Sequence, residues 1–150
     1  MKKKFTKLEI TLKNAKKLSV KTASVDEISC MQILQFLTIE ERIRLIEEFY
    51  RVLKPDGKAV ISVPYWTSMK AVSDPFVKWP PFHETFFCHF NKKWREENKI
   101  THPSFKINFE YIFGYGMDGM WNLKAEEARS FAARHYLNVI FDLHVTLIKK

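Results

Sequence analysis

The stretch TIEERIRLIEEFYRVLKPDGKAVISVP, residues 38–64, decides the fold. Thr38-Ile39-Glu40-Glu41 opens it as a capping box, in which the threonine hydroxyl and a glutamate carboxylate satisfy the free N–H groups of a helix start. Ile39, Ile43, Ile46, Phe49, Tyr50 and Leu53 then recur at helical spacing, while Glu40, Arg44, Glu47, Glu48 and Arg51 turn to water. Pro55-Asp56-Gly57 ends the helix: proline cannot continue it, and Gly57 is expected to take a left-handed conformation. Lys58–Pro64 follows as a short β-branched run closed by proline, and Val25–Leu34, upstream of the helix, reads as a buried strand running into a loop. Strand, helix, tight turn and strand in that order make a right-handed βαβ unit with parallel strands, so the fold class is α/β.

Outward from this unit, Phe5–Leu12 alternates as a half-buried strand. Residues 65–104 change character, with three tryptophans, five phenylalanines and four of the six prolines; they read as a lid or insertion with a short helix over Glu84–Glu97. A strand is predicted over Phe105–Phe113, a helix over Lys124–Tyr136, and a last strand over Asn138–Ile148 with Val139, Phe141, Leu143, Val145 and Leu147 on one face. No repeat or linker interrupts residues 1–150, which are read as one domain with 65–104 as its insertion.

Ser24–Ile28, Gln32–Leu37 and above all Tyr50-Arg51-Val52-Leu53-Lys54-Pro55-Asp56-Gly57-Lys58-Ala59-Val60-Ile61 resemble the second half of the class I S-adenosylmethionine-dependent methyltransferases of the type 11 kind. Asn14-Ala15-Lys16-Lys17-Leu18 is similar to that family's Asp-Ala segment after its third strand. The resemblance covers residues 8–66 and the last strand. It implies a Rossmann-like methyltransferase sheet, truncated and mostly parallel with an antiparallel last strand, and S-adenosylmethionine as cofactor. It places Asn14 and Ala15 near the adenine and Met31 and Gln32 near the ribose or methionine part.

The departures are specific. No glycine precedes Gly57, so the family's glycine-rich cofactor loop has no counterpart, and the acidic ribose ligand is missing with it. Gln35-Phe36 stands where the family often has Glu-His. The family's strand order is 3-2-1-4-5-7-6, and a chain starting at strand 3 would leave Val25–Met31 as an unpaired apolar edge. Three covers are expected: the Phe5–Leu12 strand moved in beside it, a second copy of the chain, or a separate polypeptide carrying the missing half. The resemblance thus implies methyl transfer to an unidentified acceptor, provided the missing loop is compensated. The alternative is a non-catalytic methyltransferase-like protein, or a gene fragment, that binds a partner through its sheet edge.

Composition bounds the remaining functions. The 150 residues are 46% hydrophobic and include only four glycines, enough for a real core but leaving few places for a phosphate cradle. The net charge of +8 is an N-terminal property, because residues 1–21 hold eight lysines and only Glu9 against them. Those lysines could meet nucleic acid, yet they lack interleaved aromatics, and lysines that blunt a strand edge explain Lys2–Lys7 equally well. Cys30 and Cys88 sit in apolar sequence and read as buried thiols, and the absence of a long apolar run points to a soluble, cytoplasmic protein with no membrane partner. His83, Cys88 and His89 lie close in sequence without metal-ligand spacing, so no metal is expected.

Gly114-Tyr115-Gly116-Met117-Asp118-Gly119 spells a dinucleotide fingerprint. With bulky neighbours and a single strand after it, it reads instead as a turn between the last two strands. Within the insertion, Trp79, Glu84, His89 and Trp94 are the candidate substrate-binding residues. No catalytic base is assigned, Glu84 and His89 being the nearest candidates.

Overall fold

The computed structural model describes residues 5–101 and 106–150. Five strands, β1 (Lys7–Glu9), β2 (Val25–Met31), β3 (Leu53–Pro64), β4 (Phe109–Met117) and β5 (Ile140–Lys149), form one sheet in the order β1-β2-β3-β5-β4. β1, β2 and β3 pair in parallel, and β5 runs antiparallel to both β3 and β4. Four strands therefore point one way and the last one the other, as expected. α1 (Ile39–Val52) crosses between β2 and β3, and its capping box is present in full, with Thr38 Oγ1 accepting from the Glu41 N–H and the Glu41 carboxylate accepting from the Thr38 N–H.

Alternation along the strands divides the sheet into two unlike faces. Ile28, Cys30, Ala59, Ile61, Val63, Leu143, Val145 and Leu147 are all buried and share one core with Leu45, Ile46, Phe49 and Val52 of α1. Burial holds the Cys30 thiol up at about 12, so this sulfur is an inert core group. The register puts rows of polar groups on the opposite face. One row runs Lys7, Glu27, Lys58, Ile148, Glu110, and the next Glu9, Ser29, Val60, Thr146, Ile112. Glu27 pairs with Lys7 and Lys58, each at 3.2 Å, and those hydrogen bonds hold its carboxyl below the usual range. Glu9, Met31, Lys58, His144, Glu110 and Ile112 are exposed on this face. Parallel strands are ordinarily covered on both faces. Here, among the described residues, only the α1 face has a core.

Several elements differ from their sequence expectation. The N-terminal strand is three residues long rather than eight, although the Ile10 N–H still bonds to the Ser29 carbonyl. It lies directly beside β2, the first of the three expected covers for that edge. The Glu84–Glu97 helix is two, α3 (Glu84–Cys88) and α4 (Lys92–Glu97), because Asn91 turns extended and caps the second by accepting from the Trp94 N–H. A four-residue helix, α2 (Lys70–Ser73), precedes them. The strand expected at 105–113 begins at Phe109, with Phe105 outside the described residues, and runs on through Gly114 and Gly116 to Met117.

The glycine-rich hexapeptide is thus not a turn. Gly114 and Gly116 lie opposite His144 and Asp142 of β5, and a Cβ on Gly116 would stand 3.2 Å from His144 Nε2, so Gly116 leaves room for that ring. Asp118 caps a short helix, α5 (Gly119–Asn122), and α6 (Glu126–His135) follows.

The turn at 54–57 also corrects the sequence reading. Leu53 pairs with Val25 and Lys58 with Glu27, so Lys54–Gly57 bulge from β3. Asp56, not Gly57, adopts the left-handed conformation (φ 60°). Gly57 is required for closeness: a Cβ there would stand 2.9 Å from the Lys54 carbonyl oxygen and 3.2 Å from that of Asp26. Gly57→Ala will therefore shift backbone rather than a flexible side chain and lower the unfolding free energy by about 1–3 kcal/mol, as read by urea denaturation. An unchanged midpoint would refute this account of Gly57.

Candidate functional site

The carboxyl ends of β2, β3 and β4 converge with the start of β5, the place where α/β sheets bind ligands. At the exit of β2 the chain turns sharply at Gln32 (φ 56°). Gln32 Nε2 donates to Ser62 Oγ (3.1 Å) and Asp142 Oδ1 (3.0 Å), and Gln35 Nε2 donates to Gln32 Oε1 (3.0 Å). Lys70 of α2 closes the network on Asp142 at 3.0 Å. Gln35 is buried, and its Oε1 has no hydrogen-bond partner.

Beside this network lies a cavity of about 400 Å³ lined by Tyr65, Glu84, Tyr115, Met117 and Ile140, with Glu126, Arg129 and Ser130 of α6. Tyr65 and Tyr115 meet edge to face, with ring centroids 6.0 Å apart. The Tyr115 hydroxyl donates to Glu84 Oε1 at 2.5 Å, and the Tyr65 hydroxyl lies 3.3 Å from both carboxylate oxygens. His83 Nδ1 accepts from the Thr85 N–H, and His83 Nε2 stands 3.2 Å from Glu84 Oε2. Burial first, and then the Glu84 carboxylate, push the Tyr115 hydroxyl well above the ordinary tyrosine range; burial does the same for Tyr65. Both hydroxyls remain protonated donors at neutral pH, and Glu84 is an oriented carboxylate.

A second, wider crevice of about 730 Å³ opens where the chain leaves β1 and β2, between Leu12, Lys16, Phe36, Leu37, Asp74 and Phe76. Asn14 stands at the adjoining turn, but its amide is spent locally, donating to the Glu9 carbonyl and accepting from the Thr11 N–H, and Ala15 packs in the core. Met31 is half exposed on the open sheet face. The Ile10–Ser29 bond brings the Asn14 turn and Met31 to the same end of the sheet.

The four substrate candidates do not form one group. Glu84 lies in the cavity. His89 Nδ1 is 2.7 Å from the Thr85 carbonyl oxygen, and its ring leans on Trp94 (centroids 4.8 Å), which lines a separate depression with Tyr111 and Ile112. Trp79 is 80% exposed.

Sequence reasoning missed the residues that hold the site. Arg42 is the clearest case: it is buried, its guanidinium donates to the carbonyls of Leu34 (3.0 Å), Lys78 (2.7 Å) and Pro80 (2.7 Å), and it stacks over Phe82 at 4.3 Å. Burial pushes it down to about 10, still charged at neutral pH. Its signal was present, since Arg42 falls on the apolar stripe of Ile39, Ile43 and Ile46. Tyr115, between two glycines of a strand, and Asp142, inside an apolar one, were similar anomalies.

A family model described as "Methyltransferase domain" matches residues 1–61. A SAM-dependent methyltransferase from Archaeoglobus fulgidus superposes with a TM-score of 0.58 at 18% identity, covering 92% of this chain and 64% of that one. This is the class I methyltransferase fold. A SAM-dependent methyltransferase from Methanosarcina mazei gives 0.51 at 18% identity, covering 91% and 64%. A chain from the complex of the Haloferax volcanii Trm112 methyltransferase activator with a protein classed as a methyltransferase gives 0.52 at 15%, covering 90% and 58%. The chain thus spans about three fifths of the length of these methyltransferase-fold structures. No curated protein matches the sequence. Among the described residues no helix is long and apolar enough to cross a membrane.

Proposed function

We propose that this chain takes part in S-adenosylmethionine-dependent methyl transfer to a small acceptor bound against Glu84. The observation that carries this reading is a carboxylate fixed by two tyrosines and a histidine inside a cleft at the carboxyl ends of the strands of a methyltransferase fold. The crevice beyond β1 and β2 fits the nucleoside end of the cofactor, with apolar walls from Leu12, Phe36 and Leu37. In this reading Asn14 and Ala15 border the adenine and Met31 and Gln32 border the ribose and methionine parts. Residues 1–56 hold no glycine, so in this reading donors for the methionine end come from the Gln32 turn or from outside these residues.

When bound, the cofactor supplies an electrophilic methyl group. The chain's own residues do the rest: Glu84 accepts a hydrogen bond from the acceptor's N–H or O–H and takes its proton, Tyr65 and Tyr115 fix that carboxylate, and α6 limits water.

A second reading is favoured by the open sheet face. Met31, Val60, Ile112 and Ile148 lie there without a covering helix among the described residues, a surface on which a complementing polypeptide or second copy could dock in a non-catalytic assembly. Calorimetric titration with S-adenosylhomocysteine separates the two. The methyl-transfer reading expects saturable binding by the chain in the micromolar range. No heat at millimolar ligand would rule out catalysis by this chain alone and leave the partner-binding reading.

A further inference from the structure

Resting on the acceptor reading of the same cleft, we propose that Arg129 makes it selective for acceptors that carry an anionic group, a carboxylate or a phosphate. Arg129 is half-buried on α6 and lines the 400 Å³ cavity. The other arginines withdrawn from solvent are all engaged: Arg42 with three backbone carbonyls, Arg51 with Glu48 and the Val20 carbonyl, and Arg95 with the carbonyls of His89 and Ile107. The Arg129 side chain has no hydrogen bond or ion pair among the described residues. A guanidinium presents five N–H donors in a fork that matches carboxylate and phosphate oxygens, and removing it from water without a partner is costly.

The charges facing the cavity set the ligand's polarity. Glu126 and Arg134 accompany Arg129 from α6, with the Arg134 Nε on the Ser130 carbonyl, and Glu84 faces them from α3. The two carboxylates and two guanidiniums balance. Glu84 already accepts from Tyr115 and Tyr65, two of the roughly four bonds a carboxylate can accept. Acceptor capacity is therefore left for an N–H or O–H of the ligand. The complementary ligand has an anionic group at Arg129 and one nucleophilic N–H or O–H at Glu84. Tyr65, Met117 and Ile140 supply an apolar wall between the two ends.

The test is titration with phenyl phosphate, benzoate and the neutral isostere benzamide, followed by ligand-observed NMR in the absence of any cofactor. At least one of the two anions is expected to bind, with benzamide at least tenfold weaker. Arg129→Gln is expected to weaken the anion at least tenfold. Lys124→Gln, an exposed change outside the cavity, should leave it unchanged. Because Arg129 has no partner to lose, Arg129→Gln should keep the native urea midpoint, so lost binding cannot be ascribed to unfolding. Preference for phenyl phosphate assigns a phosphorylated acceptor, and equal or better binding of benzoate a carboxylated one. Benzamide binding as tightly as the anions, no binding by either anion, or an Arg129→Gln protein that binds like the native one overturns the proposal. Anion binding through Arg129 by a chain that ignores S-adenosylhomocysteine would remove the methyl-transfer reading and leave this one intact.

Discussion

Arg42→Leu will lower the unfolding free energy by about 3 kcal/mol or more, the largest loss expected from a single polar substitution in this chain. The guanidinium joins the exit of β2, through the Leu34 carbonyl, to the insertion, through the carbonyls of Lys78 and Pro80, and no carboxylate shares the task. Leucine fills much of the volume but leaves three carbonyl oxygens without their donor, each costing about 1–3 kcal/mol where water cannot replace it. Arg42→Lys keeps a charge but cannot span the three acceptors and should recover only part of the loss. Urea denaturation followed by circular dichroism reads the effect. A midpoint shift no larger than that of an exposed substitution would refute the clamp. The same variant should loosen the approach to Phe82 and His83, and with it the placement of Glu84.

Glu84→Gln is expected to act on both the cleft and the stability. The Tyr115–Glu84 bond is short and charge-assisted, and an amide would present an N–H to one of the donors now directed at the carboxylate; the cost is about 2 kcal/mol. On the proposed reading, methyl transfer falls by about 100-fold or more through loss of the proton acceptor. A readout independent of the acceptor exists. Because the folded-state values of Tyr115 and Tyr65 are raised above 10, the neutral phenols contribute stability that is fully present below pH 10 and is lost as pH rises toward their folded values. Glu84→Gln removes the second-largest cause of the Tyr115 rise while leaving burial, the largest. Absorbance at alkaline pH should show tyrosine ionising earlier in the variant than in the native protein. Identical titration curves would show that Glu84 does not bear on these hydroxyls.

The βαβ unit was legible because its signals are local. A capping box, a helical apolar stripe and a Pro-Asp-Gly stop act within one turn of chain, and α1, β2 and β3 appear where those signals put them. The last strand was legible for the same reason, its alternation surviving as buried Leu143, Val145 and Leu147. Glu84 was singled out in the sequence, but its partners were not, since Tyr65 and Tyr115 stand 19 and 31 residues away and reach it only across the packed end of the sheet. Trp79, His89 and Trp94 were grouped with it by sequence proximity. Trp79 instead stands out in solvent, and His89 leans on Trp94, which lines a separate depression.

The glycines show the limit from both sides. Spacing alone placed a turn at 114–119, but both Gly114 and Gly116 pair within β4 against β5, and Gly116 is spent on clearance for the His144 ring.

By itself the sequence determined the class of fold, the parallel βαβ unit and the lack of a glycine-rich loop before Gly57, because periodicity, capping and composition are properties of neighbouring residues. Only the tertiary structure decided that β1 lies against β2, that one sheet face carries no helix among the described residues, and that Tyr65, Glu84, Tyr115 and Arg129 share a cavity. Those outcomes depend on which distant segments pack together. That is fixed by burying the α1 face of the sheet and satisfying Arg42, energies that no short stretch of chain contains.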